Sequence, residues 1–219
     1  MTFSMIGRCT RTGQFGAVVA TSNIAVGWRV PHVAPGVGAV LTQHRTDPRL
    51  GPRGLDLLRS GCTAHEALAA LVASTPHHRF RQLAVIDAGG RTAHFHGAVV
   101  KPALGAAHGE ACVAIGNILA NETVPAAMVA AFMAAPAATL SDRLMLGLQA
   151  GEAAGGEHVP VQSAAMLVMH RESFPYVDLR IDDAPDPIGK LASLYAKCAP
   201  MLDEYVVRAI DPENATGVT

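Results

Sequence analysis

The chain has 219 residues, with 17 Lys+Arg against 18 Asp+Glu for a formal net charge of −1; half of its residues are hydrophobic and 16% are charged. That balance excludes intrinsic disorder, and with the basic residues scattered along the chain it also excludes the electrostatic footprint of a nucleic-acid-binding protein. The length suits one domain over residues 1–219, with a loose tail expected after about residue 211.

In chain order, residues 2–8 and 16–20 are short apolar-rich runs separated by Arg11-Thr12-Gly13-Gln14, where Gly13 can take the positive φ of a tight turn. This predicts a hairpin at the start of the chain. Residues 24–43 interleave Gly and Pro with β-branched residues, which suits short strands more than a helix. From Gly51 a helix is expected up to a stop at Gly61, then a second helix opened by Thr63 with Glu66 three positions on, the pattern of a capping box. Residues 81–100 alternate around Asp87–Gly90 as a second hairpin, and residues 111–120 hold a buried strand closing on Gly116 and Asn117. Helices follow over residues 123–134 and 140–153. Two further strands are expected within residues 162–169 and 176–182, and one closing helix from residue 188 to about 207. Helices and strands come in blocks, so the expected class is α+β, two antiparallel sheets face to face with helices layered outside.

Cys9, Cys62, Cys112 and Cys198 stand far apart with no C-x-x-C, which points to reduced, structural cysteines. The opening residues lack the apolar run of a secretory signal, and the Ala-rich stretch 124–140 is interrupted by Pro125 and Pro136. A cytoplasmic protein with no membrane partner is expected. The apolar fraction and a mean hydropathy of +0.26 suggest a homodimer.

Polar residues that interrupt apolar strands are the candidates for chemistry. Ser4 shares a strand face with Thr2 by the two-residue period. Ser22 and Asn23 follow the second strand, where amides can stabilise an oxyanion or cap a turn. Gln43 and His44 end an apolar strand, Asn117 ends another, and Gln162 and Ser163 open a third; buried amides and hydroxyls in such places need partners. His94 and His96 share a face at i,i+2 spacing, but no Asp or Glu completes a metal site, so a structural role is expected and no metal.

The segments TFSMIGRCTRTGQFGAVVATSNIAVG, VGAVLTQHRTDPRLGPRGLDLL, RQLAVID, IGNILA, AGGEHVPVQSAAMLV and VDLRIDDAPDPIGKLASL together resemble the family catalogued as domain of unknown function 1028, over residues 2 to about 194. That family is assigned to the N-terminal-nucleophile (Ntn) hydrolases. The resemblance implies a four-layer αββα sandwich and an amidohydrolase in which Thr2, freed of Met1, is the nucleophile and its own α-amine the base. On that reading, Ser22, Asn23 and Asn117 are expected to support catalysis, Ser4, Gln43, His44, Gln162 and Ser163 to contact a small-molecule amide or ureido substrate, and no cofactor is needed. Proteasome-type members use a lysine from a following strand, whereas the first lysine here is Lys101. The alternative is a non-catalytic member that binds a small metabolite or a partner protein in the same cleft.

Overall fold

The computed structural model describes residues 1–216; the last three residues of the expected loose tail lie outside the described residues. The elements in order are β1 (Thr2–Arg8), β2 (Phe15–Thr21), β3 (Pro31–Ala34), β4 (Gly38–Gln43), α1 (Leu50–Arg59), α2 (Ala64–Ser74), β5 (Gln82–Asp87), β6 (Thr92–His96), β7 (Leu104–Gly109), β8 (Cys112–Asn117), α3 (Val124–Ala134), α4 (Leu140–Ala153), β9 (Ser163–Met169), β10 (Val177–Ile181), α5 (Pro187–Cys198) and α6 (Leu202–Ile210). The strands form a six-stranded sheet in the order β10-β9-β2-β1-β8-β7 and a four-stranded sheet in the order β3-β4-β5-β6. Every pairing between neighbouring strands is antiparallel.

Two-residue periodicity sorts the side chains into three cores. In β1, Phe3 and Met5 point outward and pack with Met128 and Phe132 of α3 and Leu144 and Leu148 of α4. The alternate residue Ile6 points inward to meet Val19, Leu41, Ala84, Ile86 and Ile115 between the two sheets. On the far side, Val40, Leu83 and Val85 pack under Leu55 and Leu58 of α1 and Leu68 and Leu71 of α2. The result is the αββα sandwich expected from the block order of elements, each sheet covered on both faces.

Local chemistry sets the boundaries. The β1–β2 hairpin turns at Gly13 with φ 76°. Thr63 and Glu66 close the expected capping box on α2, and Thr139 with Asp142 builds a second on α4. At the tip of β5–β6, Asp87 accepts from the backbone of Gly89 and Arg91 and reaches across to the Ala64 N–H at the start of α2. Two elements depart from the sequence reading. The single closing helix is broken between α5 and α6 by a 3-10 turn at Ala199–Met201, because Pro200 has no N–H to continue the ladder. Strand β7 went unread because LGAAHG lacks the β-branched and aromatic residues that mark a strand; it forms by pairing along β8.

Candidate active site

The inward face of each central strand is apolar for most of its length and turns polar at one end. Thr2 and Ser4 continue the inward row of Ile6, Asn117 that of Val113 and Ile115, and Thr21 that of Ala17 and Val19. Across the sandwich, Gln43 continues Ala39 and Leu41, and Gln82 continues Ala84 and Ile86. Strand register lines these residues up: Thr2 is opposite Asn117, Thr21 opposite Ser163, Gln43 opposite Gln82 and Gln82 opposite His96. Polar residues from β1, β2, β4, β5 and β8 thus converge because a shared register carries polarity to the same end of both sheets.

Their hydrogen bonds form one directed network. Ser4 Oγ donates to Gln43 Oε1 at 2.6 Å, and Gln43 Nε2 donates to Gln82 Oε1 at 2.6 Å. Asn117 Nδ2 donates to the same Gln82 Oε1 at 2.8 Å. Gln82 Nε2 donates in turn to the Gly116 carbonyl at 2.7 Å and to His96 Nδ1 at 2.8 Å. Both lone pairs and both protons of Gln82 are used, so its amide orientation is fixed; a flipped amide would face two N–H donors. Because His96 Nδ1 must accept, the ring is neutral; burial and the charge of His94 push its pKa down to about 4. One atom is left over: Asn117 Oδ1 is buried with no hydrogen-bond partner. A buried orphan acceptor at the end of a satisfied network is where an incoming N–H is expected.

Beside the network lies a cavity of about 480 Å³ walled by Met1, Thr2, Thr21, Asn23, Ile24, Arg29, His44, Arg45 and Thr46. Thr2 is 7% exposed, with its Oγ1 3.4 Å from Thr21 Oγ1 and hydrogen-bonded to the Met1 carbonyl. Thr21 Oγ1 also donates to that carbonyl, at 2.5 Å. His44 Nδ1 lies 2.9 Å from the Phe80 carbonyl, which can only accept, so Nδ1 carries the proton and Nε2 keeps a lone pair. Burial lowers its pKa, against the Phe80 bond, with the amino-terminal charge, Arg45 and Lys101 adding to the lowering. The first lysine of the chain lies at this end of the sandwich, its carbonyl accepting from the Ile118 N–H at 3.3 Å. His44, Arg45 and Ile118 adopt left-handed backbone with φ 52°, 48° and 52°, a conformation that is an outlier for β-branched Ile118 and marks strained backbone at both strand ends that frame the site.

Glu157, in the loop after α4, completes the surroundings. Its Oε2 accepts from the Ser22 N–H at 3.0 Å, while Oε1 is buried without a partner. Burial pushes its pKa up to about 7, opposed by the Ser22 bond and by the amino terminus. Burial lowers the Met1 amine, with Glu157 opposing and Arg29 adding. The folded chain therefore retains the Glu157 proton from about pH 4.5 to about pH 7, where the unfolded chain has released it. The stability this group contributes is present below pH 4.5 and falls as pH rises to 7. Glu157→Gln should gain on the wild type by on the order of 2–3 kcal/mol across that window. Histidines with lowered pKa slope the other way in both proteins, so the difference between their melting curves isolates Glu157. A difference that does not vary with pH would refute the assignment.

Of the residues singled out in sequence, Thr2, Asn23 and His44 wall the cavity, and Ser4, Gln43 and Asn117 form the network behind it. Ser163 lies beneath the loop: its Oγ donates to the Asn23 carbonyl at 2.6 Å and accepts from the Val26 N–H at 3.1 Å, pinning residues 23–26. Ser22 gives its N–H to Glu157, and Gln162 is exposed, its Nε2 bonded to Asp183 at 2.9 Å outside the cavity. His94 leans on His108 at 2.7 Å, and among the described residues no group of His, Cys, Asp and Glu is arranged to hold a metal ion. Sequence reasoning missed Gln82, Glu157 and Arg29. Only Gln82 carried a signal, since it shares parity with Ala84 and Ile86.

The family of unknown function DUF1028 matches residues 2–191. The chain belongs to the DUF1028 family. A crystal structure of a DUF1028 protein from Silicibacter pomeroyi is similar to it at 34% identity and a TM-score of 0.85, over 90% of this chain and 86% of that one. Anbu, the ancestral beta-subunit from Yersinia bercovieri, aligns over 99% of both chains at 10% identity and a TM-score of 0.42. A search of the curated proteins gives no match. The four-layer architecture of this DUF1028 chain stands on its own strand order and helix packing. No helix among its described residues is long and apolar enough to cross a membrane.

Proposed function

We propose that this DUF1028 protein is an N-terminal-nucleophile amidohydrolase whose Thr2, freed by cleavage of the Met1–Thr2 bond, cuts the C–N bond of a small amide or ureido acid. The observation that carries this reading is the placement of Thr2 in the cavity wall, at the polar end of a central strand, with Asn117 as its cross-strand neighbour. Thr2 Oγ1 adds to the substrate carbonyl carbon while its own α-amine takes the proton. The same proton then passes to the departing nitrogen as the C–N bond breaks, leaving an ester on Thr2 that water hydrolyses. An α-amine titrates near pH 8 in solution, and the burial that lowers the Met1 amine would act on the amine of Thr2, favouring a neutral base. Amide donors of Asn23, which walls the cavity, hold the oxyanion, and the buried Asn117 behind Thr2 positions the nucleophile's end of the strand.

Arg29 and Arg45 narrow the substrate class. Both wall the cavity, and no salt bridge among the described residues involves either. Two unneutralised guanidinium groups beside the nucleophile suit a substrate with a carboxylate, such as an N-acyl or N-carbamoyl amino acid. The alternative, a binding protein using the same cleft, draws on the engagement of the Met1 carbonyl by Thr2 and Thr21. Intact-mass measurement combined with a panel of N-acyl and ureido acids separates the two. Loss of the Met1 residue mass with release of amine or ammonia is expected; a protein that retains Met1 and binds panel members without turnover is a binding protein.

A further inference from the structure

A second cavity lies at the opposite end of β1, six residues and roughly 20 Å from Thr2 at the rise of a strand. It measures about 220 Å³ and is lined by Arg8, Arg11 and Arg143 together with Cys9, Thr10 and Glu110, among others. The three arginines come from three elements: the end of β1, the following turn and α4. Arg143 is the most constrained. It is only 8% exposed, its guanidinium sits 3.8 Å over the Phe132 ring, and Nε donates to the Phe132 carbonyl at 3.0 Å. Its remaining contact is a weak one, Nη2 to Met133 Sδ at 4.0 Å. No salt bridge among the described residues involves Arg8, Arg11 or Arg143.

A buried guanidinium without a carboxylate carries a desolvation cost that a bound anion would offset. Arg11 is held in place by bonds to the Ala137 and Ala138 carbonyls at 2.9 and 2.8 Å, and Arg8 stands over the Phe15 ring. These contacts fix the stems without neutralising the charges. Glu110 on the rim offsets one positive charge, so three guanidinium groups leave a net excess of two. Donors arriving from three walls suit the several oxygens of a tetrahedral oxyanion better than one planar carboxylate.

We propose that this cavity is a binding site for a phosphate-type oxyanion, as the free ion or as the headgroup of a small phosphate ester. The site is independent of Thr2 and of the amidohydrolase reading. Its neighbour Cys9 reports on it: burial works to raise the thiol, yet bonds from Thr12 and the charge of Arg11 outweigh burial and hold it below its ordinary value.

The test is calorimetric titration of the full-length protein with inorganic phosphate, glycerol phosphate and malate. Saturable binding of one phosphate or glycerol phosphate is expected, at least about tenfold weaker in Arg11→Gln and in Arg143→Gln, as for loss of charge-assisted hydrogen bonds. Arg45→Gln at the Thr2 cavity should leave it unchanged. Tighter binding of inorganic phosphate indicates the free ion, and tighter binding of glycerol phosphate an ester. Arg11 is exposed, so its variant keeps the proposal testable if Arg143→Gln does not fold. Absence of saturable phosphate binding, a preference for malate that Arg11→Gln abolishes and Arg45→Gln leaves in place, or a loss of phosphate binding in Arg45→Gln but not in Arg11→Gln would overturn the proposal.

Discussion

Replacing Thr2 with alanine should reduce amide hydrolysis by on the order of 10⁴-fold or more, the scale on which removal of a covalent nucleophile acts elsewhere, while leaving the fold intact. The tolerance follows from the geometry. Thr2 contributes one hydroxyl to the end of the inter-sheet row, and its bonds run only to the Met1 carbonyl and, at 3.4 Å, to Thr21; neither anchors β1, whose pairing with β2 and β8 is made by backbone. Thr2→Ser should retain most of the rate, because the hydroxyl and the α-amine stay on one residue. The pair of variants separates chemistry from binding: Thr2→Ala should still bind a substrate acid at the Arg29 and Arg45 walls with little change in affinity. Thr2→Ala turning over at the wild-type rate would remove the nucleophile assignment, whatever the fate of Met1.

Why the sequence reached this end of the molecule but not all of it is a question of range. Thr2, Ser4 and Asn117 are polar residues on the inward parity of otherwise apolar strands, and two-residue alternation is a local signal. Gln43 was legible for the same reason. Gln82 follows the same rule, but its importance depends on being opposite Gln43 and across from Asn117, which no local pattern states. Glu157 belongs to a loop joined to the site through the Ser22 N–H, 135 residues away. Strand β7 is the converse case: its weak propensity is overridden by a six-residue ladder with β8. The break at Pro200 was readable, since the missing N–H is a property of one residue. The layer order followed from blocks of helices and strands, which is why the architecture was legible where the wiring of the site was not.

The largest effect on stability should come from Gln82→Leu, a change that keeps the volume and removes every hydrogen bond of the side chain. Four groups would lose their partner at once: Gln43 Nε2, Asn117 Nδ2, the Gly116 carbonyl and His96 Nδ1. Gln43, Asn117 and Gln82 are all fully buried, so water cannot replace the lost bonds without opening the sheets. At about 1–3 kcal/mol for each buried group left unsatisfied, and allowing for partial relaxation, the expected loss is on the order of 4 kcal/mol in denaturant unfolding. His96 supplies a second readout. Its Nδ1 would then face an apolar side chain, so the lost Gln82 bond should appear as a shifted His96 ring resonance in NMR, while burial and His94, which hold its pKa down, are unchanged. Gln82→Glu distinguishes the roles further. A carboxylate can still accept from Gln43 and Asn117 but cannot donate to Gly116 or His96 unless protonated, so this variant should be most stable at low pH and lose stability as its buried carboxyl ionises. Gln82→Leu unfolding at the wild-type denaturant midpoint would show that the network does not hold the two sheets in register at the Thr2 end.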